Sequence, residues 1–202
     1  MKKIIKILAL VTVALLVFCS CGQNSDSSSE VSLTTTEHTK VLFTMESGDT
    51  FTIELYPEYA PETCENFIKL VKEGFYDGLT FHRVVEDFMA QGGDPNGDGT
   101  DGSSKTIKGE FSQNGFTQNT LSHERGVVSM ARSNDYDSAS SQFFICYADC
   151  SFLDGQYAAF GKVVDGMDTV DGFLDIERTT GSDGAESSPV TPIVIESATI
   201  VK

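Results

Sequence analysis

The sequence predicts a mainly β domain, a β-barrel closed by two helical caps, carried behind an N-terminal export segment. Three observations lead there. Short runs of alternating apolar and polar residues recur from residue 41 onward, separated by turns rich in Gly and Asp. Only two segments repeat their apolar residues with helical spacing. The stretch from about residue 39 is of single-domain size and long enough to bury a core.

"VLFTMESGDTFTIELY" gives two strands around the turn Glu46-Ser47-Gly48-Asp49, with Phe51, Ile53 and Leu55 alternating with Thr52 and Glu54. "APETCENFIKLVKEG" follows as an amphipathic helix. Pro61 suits its first turn and Gly74 its end, and Cys64, Phe67, Ile68 and Val71 fall on one face. Further strands are expected at 79–84, 88–91, 126–131, 142–147 and 159–164. A short second helix is expected at 167–174, and Ile193–Val201 reads as a closing strand. No internal repeat is visible.

The first residues have a different purpose. Lys2, Lys3 and Lys6 precede an apolar run at 7–18, which is shorter than the ~20 residues a spanning helix needs, so it reads as an export signal. The junction Ser20-Cys21-Gly22 resembles a bacterial lipobox, in which Cys21 becomes the lipid-bearing first residue. The expected division is therefore a signal peptide at 1–20, a polar Ser/Thr-rich tether at 21–38 and a folded domain at 39–202. Localisation follows: lipid-anchored to the bacterial cell membrane, with the domain outside the cytoplasm. Loss of the three lysines takes the formal charge from −16 to −19. Such a surface repels nucleic acid, so no nucleic-acid partner is expected.

Past the signal and Cys21, three cysteines remain: Cys64, Cys146 and Cys150. An odd number cannot pair completely, and no CxxC or Cys/His metal spacing occurs, so buried thiols are the default and a Cys146–Cys150 bridge stays open. In "DPNGDGTDGSSK", Asp94, Asn96, Asp98 and Gly99 open like a calcium loop, but Lys105 stands where the closing glutamate belongs. A Gly/Asp-rich turn fits better, and no metal is expected. There is no GxSxG, no HExxH and no phosphate loop, and no motif around the three histidines marks a cysteine or serine nucleophile. Any enzyme here must work without nucleophile, metal or cofactor.

Two stretches have the composition of a binding site. "FHRVVEDFMAQGGDP" combines Arg83, Phe88, Met89 and Gln91, and on an extended chain Met89 and Gln91 share a face. "GVVSMARSNDYDSASSQFFICY" and "SFLDGQYAAFGKV" add Ala131, Gln142, Phe144, Phe152, Leu153 and Tyr157. Core packing explains most of these apolar residues taken singly. Taken together and in order, "FHRVVEDFMAQGGD", "GVVSMAR", "SQFFI" and "LDGQYAAFGKV" resemble the cyclophilin family of peptidyl-prolyl isomerases, over roughly residues 40 to 201.

That resemblance implies a closed eight-stranded antiparallel barrel with two helices and a proline groove on its outer face. It implies Arg83 as the catalytic residue. Phe88, Met89, Phe144 and Leu153 would line the proline pocket, with Gln91 and Gln142 positioning the backbone. Ala131, Arg132 and Ser133 would hold the residue before proline, and His82 would be structural. Phe152 stands where tryptophan is usual, Tyr157 where histidine is usual and Arg132 where asparagine is usual, and the loop at 99–105 is longer. The expected partners are proline-containing unfolded or exported polypeptides, met by a monomer.

The residue types suit the chemistry. Rotation about an X-Pro bond crosses a barrier of ~18–20 kcal/mol because amide resonance is lost, and no bond breaks. The twisted amide gains a localised lone pair on nitrogen, and a guanidinium aimed there favours that state over both planar ones. A non-catalytic chaperone on the same fold would need the slot but not Arg83. A calcium-dependent surface-binding lipoprotein is a third reading, and Lys105 opposes it.

Overall fold

The computed structural model describes residues 38–201. The expected signal peptide, Cys21 and nearly all of the expected tether lie outside the described residues. Eight strands close a barrel: β1 (Lys40–Met45), β2 (Thr50–Leu55), β3 (Thr80–Val85), β4 (Met89–Asp94), β5 (Val127–Met130), β6 (Phe143–Cys146), β7 (Ala159–Asp165) and β10 (Ile193–Val201). Their order around the barrel is β1-β10-β3-β4-β6-β5-β7-β2, and every neighbouring pair is antiparallel.

Alternation along each strand fills the interior with one face. Val41, Phe43 and Met45 of β1 meet Phe51, Ile53 and Leu55 of β2, and Phe43 stacks on Phe51 at 4.8 Å between ring centres. Helix α1 (Pro61–Lys72) buries Thr63, Cys64, Phe67, Leu70 and Val71. Phe67 reaches Tyr76, Phe143 and Phe160 at 5.1, 5.5 and 5.0 Å, so the helix plugs into an aromatic core. Its start has no side-chain cap from Ala60. The buried Glu110 supplies one from elsewhere, accepting from the Glu62 and Thr63 amides at 3.0 and 2.8 Å. A carboxylate at a helix N-terminus satisfies orphan amides and suits the helix dipole.

The second helical cap falls on the expected residues but in two pieces. It divides into α2 (Met167–Asp171) and a 3₁₀ turn (Gly172–Asp175), which lays Phe173 against Phe81 at 4.9 Å. Strand β4 begins one residue later than expected, at Met89. Asp87 takes a left-handed conformation (φ 57) and the Phe88 amide closes a turn onto Val85 at 3.2 Å. The sequence reading missed a two-stranded hairpin, β8 (Arg178–Thr180) with β9 (Glu186–Pro189), outside the barrel and beside β3. Its strand residues are nearly all polar and only Ser187 among them is buried, so no period-two apolar signal marks it.

Cys64, Cys146 and Cys150 are free, buried thiols. Burial pushes Cys64 up to about 12 and raises Cys146 and Cys150 as well, so all three stay protonated near neutral pH.

Candidate active site

The outer face of β3-β4-β6-β5 carries the residues of interest, and register puts them in a row. Arg83 pairs with Gln91, Gln91 with Phe144, and Phe144 with Ser129. Ala90, Phe143, Ile145 and Met130 point into the barrel, which sends Met89, Gln91 and Phe144 outward. There Met89, Phe144, Cys146, Cys150 and Leu153 form a second apolar cluster, with Val85, Phe88, Ala131 and Tyr157 packed on it. Phe144 stacks on the His123 ring at 6.0 Å and meets Tyr157 edge-on at 5.9 Å. Phe152 lies at the rim, 64% exposed, with its ring 5.8 Å from that of Phe88.

Arg83 stands beside this slot. Its Nη1 donates to Gln91 Oε1 at 3.3 Å and touches Met89 Sδ at 4.0 Å, and its Cζ lies 5.7 Å from the Phe88 ring centre. Gln91 Nε2 donates onward to Gln142 Oε1 at 2.8 Å, and Gln142 Nε2 to the Asp101 carbonyl at 2.6 Å. This chain of donors fixes both amides in one orientation. Gln91 therefore turns its oxygen to the arginine.

Ala131 and Gln142 lie just past the ends of β5 and β6 but stay joined, Ala131 N–H to Gln142 carbonyl at 3.0 Å. Arg132 is committed elsewhere. Its Nε and Nη2 donate to the Gln156 carbonyl and its Nη1 to the Ser133 carbonyl, while Cζ sits 4.5 Å from the ring centre of Tyr157 and 4.9 Å from that of Tyr136. Its side chain thus holds Tyr157 in place. Gln91, Thr100, Asp101, Arg132, Ser138 and Gln142 help to line a polar cavity of ≈ 350 Å³ next to the slot.

The Gly-Gly pair after Gln91 has a packing reason. Gly93 takes φ 85, and a Cβ there would come within 2.6 Å of the Ser141 carbonyl oxygen. The loop beyond is tied by Asp94, a buried carboxylate that accepts the backbone amides of Asn96, Asp98, Gly99 and Thr100. Those amides occupy the carboxylate, which makes Asp94 the anchor of a Gly/Asp turn. The two ring nitrogens of His82 are buried with no hydrogen-bond partner among the described residues, and burial lowers its pKa.

Sequence reasoning missed two further groups. His123 Nδ1 lies 2.7 Å from Asp154 Oδ1, and its Nε2 lies 2.9 Å from Ser129 Oγ. The pattern has the connectivity of a hydrolytic triad, yet Ser129 is fully buried and His123 nearly so. Burial is the main influence on His123 and lowers its pKa, so the imidazole is neutral. With Asp154 ionised, Nδ1–H donates to the carboxylate and Nε2 accepts from Ser129. The assembly is a scaffold under Phe144. The other missed residue is Asp183, in the turn of the β8–β9 hairpin, whose Oδ2 accepts Arg83 Nε–H at 2.7 Å.

A closed antiparallel barrel plugged by α1, with an arginine and two glutamines beside an outer apolar slot, defines a cyclophilin-type protein. The chain belongs to that family: residues 40–200 match the family described as cyclophilin type peptidyl-prolyl cis-trans isomerase/CLD. It is 48% identical over 126 residues to peptidyl-prolyl cis-trans isomerase B of Bacillus subtilis, covering 62% of this chain and 84% of that protein. It is 41% identical over 173 residues to peptidyl-prolyl cis-trans isomerase A of Dickeya dadantii, covering 83% and 87%. A crystal structure of a Cryptosporidium parvum cyclophilin-type isomerase superposes with a TM-score of 0.71 at 29% identity, covering 82% of this chain and 98% of that one. The chain is a peptidyl-prolyl cis-trans isomerase.

Proposed function

We propose that this isomerase accelerates X-Pro rotation in exported polypeptides at the cell envelope, with Arg83 as its catalytic residue and a lipid on Cys21 as its anchor. The observation that carries the reading is the setting of Arg83. Its guanidinium is held on its Nε and Nη1 sides, and among the described residues its Nη2 donates to none. An uncommitted donor edge at the lip of an apolar slot is what a developing amide lone pair requires.

In this reading the prolyl ring enters between Phe88, Met89, Phe144 and Leu153. Excluding water there strengthens the contact between guanidinium and prolyl nitrogen. Gln91 holds the arginine without adding charge, and Gln142 presents its amide to the chain before proline. The backbone of Ala131, Arg132 and Ser133 lines the path of the preceding residue, with Phe152 and Tyr157 at the rim. The C. parvum relative was also crystallised in the presence of the dipeptide Ala-Pro, with a TM-score of 0.70 to this chain. A substrate containing proline is the matching expectation here, met by a monomer.

The export reading rests on Lys2, Lys3, Lys6, the apolar run at 7–18 and the Ser20-Cys21-Gly22 junction. Stable attachment needs more than one acyl chain, because a single chain binds reversibly. A protease-coupled assay on a short X-Pro peptide tests the chemistry, and no acceleration would refute it. Mass spectrometry of the mature N-terminus should find a lipid on Cys21. Cys21→Ala should release the protein from membranes or leave its signal uncut, and an unmodified terminus elsewhere would refute the anchor.

A further inference from the structure

We propose that Asp183, carried by the β8–β9 hairpin, is a positioning residue for Arg83, setting the plane of the guanidinium for catalysis. The inference rests on the reading of Arg83 as the catalytic group.

Three features carry it. First, Asp183 Oδ2 accepts Arg83 Nε–H at 2.7 Å, while Gln91 Oε1 accepts from Nη1 at 3.3 Å on the other side. A planar group gripped at two of its three nitrogens keeps a fixed orientation, and Nη2 stays uncommitted among the described residues. Second, the carboxylate is itself held. Its Oδ1 accepts the Ala185 amide at 3.0 Å and the hydroxyl of buried Ser187 at 2.8 Å. The hairpin turn is closed beneath it by the Gly181 amide on the Ala185 carbonyl at 2.8 Å. Third, both partners are partly shielded, with Arg83 and Asp183 side chains 31% and 23% exposed. Burial works against ionisation of Asp183, but the bonds from Arg83, Ser187 and Ala185 together hold it at about 2, so it is charged wherever the enzyme works.

The opposite role, a carboxylate that damps the arginine, fits less well. Asp183 engages Nε through one oxygen and does not take Nη2 in a two-pronged grip, which would occupy the donor edge. The charge it brings is a constant. The orientation it brings favours the twisted state over the planar ones, because misplacement of a catalytic group costs rate more than binding.

The test is a mutant cycle read by kcat/KM on an X-Pro peptide and by peptide Kd from titration. Asp183→Ala should lower kcat/KM about tenfold while Kd moves less than about twofold. Asp183→Asn has one acceptor oxygen where the carboxylate uses two, so Arg83 Nε–H and the Ala185 amide compete for it, and its rate should fall between those of Asp183→Ala and the unaltered enzyme. In an Arg83→Ala background, adding Asp183→Ala should change the rate less than about twofold, since residues that act as one unit are not additive. Equal losses in both backgrounds would mean a merely structural hairpin and overturn the proposal. A rate above that of the unaltered enzyme for either Asp183 variant would make Asp183 a damper and also overturn it. If Arg83→Ala loses activity but Asp183→Ala does not, only this inference fails. If Arg83→Ala keeps full activity, the catalytic reading fails and takes this one with it.

Discussion

Replacing Asp154 with alanine attacks the scaffold under the slot without touching the slot itself. Asp154 accepts the His123 amide at 2.9 Å, His123 Nδ1 at 2.7 Å and the Ser122 hydroxyl at 2.7 Å. The Asp154 side chain is 39% exposed, so water takes over the Ser122 bond in the variant. The two His123 donors are different, because that side chain is only 1% exposed. Each buried donor left without a partner costs about 1–3 kcal/mol, and partial rescue by water brings the pair to roughly 2–4 kcal/mol. For a domain of this size that is a fall in Tm of roughly 4–16 °C. Urea and thermal melts measure it, and kcat/KM per folded molecule should fall as well, because the His123 ring supports Phe144. A stability change below about 0.5 kcal/mol, within the usual range for surface substitutions, would refute the reasoning. Ser129→Ala should keep isomerase activity, and its complete loss would show that the buried hydroxyl does chemistry after all.

Other expectations follow from single contacts. Glu110→Gln puts an amide group against helix-start donors and should destabilise the fold by about 2–3 kcal/mol in urea melts. An unchanged midpoint would show that α1 needs no remote cap. Burial lowers the pKa of both His82 and His123 below the ordinary 6.5. The unfolded chain then takes up their protons first as pH falls, so their contribution is whole above 6.5 and declines below it, by about 1.4 kcal/mol per pH unit for each histidine. Urea melts at pH 7.5 and at about 5.5 check this, and equal stability would contradict it. Phe152, exposed and lacking an indole N–H, should give weak cyclosporin inhibition that Phe152→Trp tightens by about fivefold, the worth of roughly 1 kcal/mol. Equal inhibition of the two proteins would remove Phe152 from the account.

The parts of this molecule that sequence revealed are those where burial imposes a period. Strands β1 and β2 alternate without a break, and the same rule placed Met89 and Gln91 on one face of β4. The closure of the barrel into eight strands came from motif resemblance, since pairing partners such as β1 and β10 lie far apart in the chain. The β8–β9 hairpin escaped notice because "RTTGSDGAESSP" buries only Ser187 of its strand residues. Asp183 escaped with it, being 100 residues from its partner Arg83. His123, Ser129 and Asp154 share no local spacing either, for the chain brings them together only through β5 and the 3₁₀ turn Ser151–Leu153 that precedes Asp154. The side chain of Arg132 is spent on Gln156 and three aromatic rings, which no pattern in the sequence announces.

The central claim is that Arg83 stabilises the twisted amide more than it binds the peptide. Its test is to measure kcat/KM and peptide Kd for Arg83→Ala, with folding confirmed by circular dichroism. A charged hydrogen bond in a shielded site is worth ~1.5–3 kcal/mol, and each ~1.36 kcal/mol is tenfold in rate, so kcat/KM should drop at least tenfold with Kd little changed. Arg83→Lys should recover little of that loss, because an ammonium has no planar fork to be held by Gln91 and Asp183 at once. Equal losses in rate and binding for Arg83→Ala would contradict the account and leave Arg83 as a grip on the substrate.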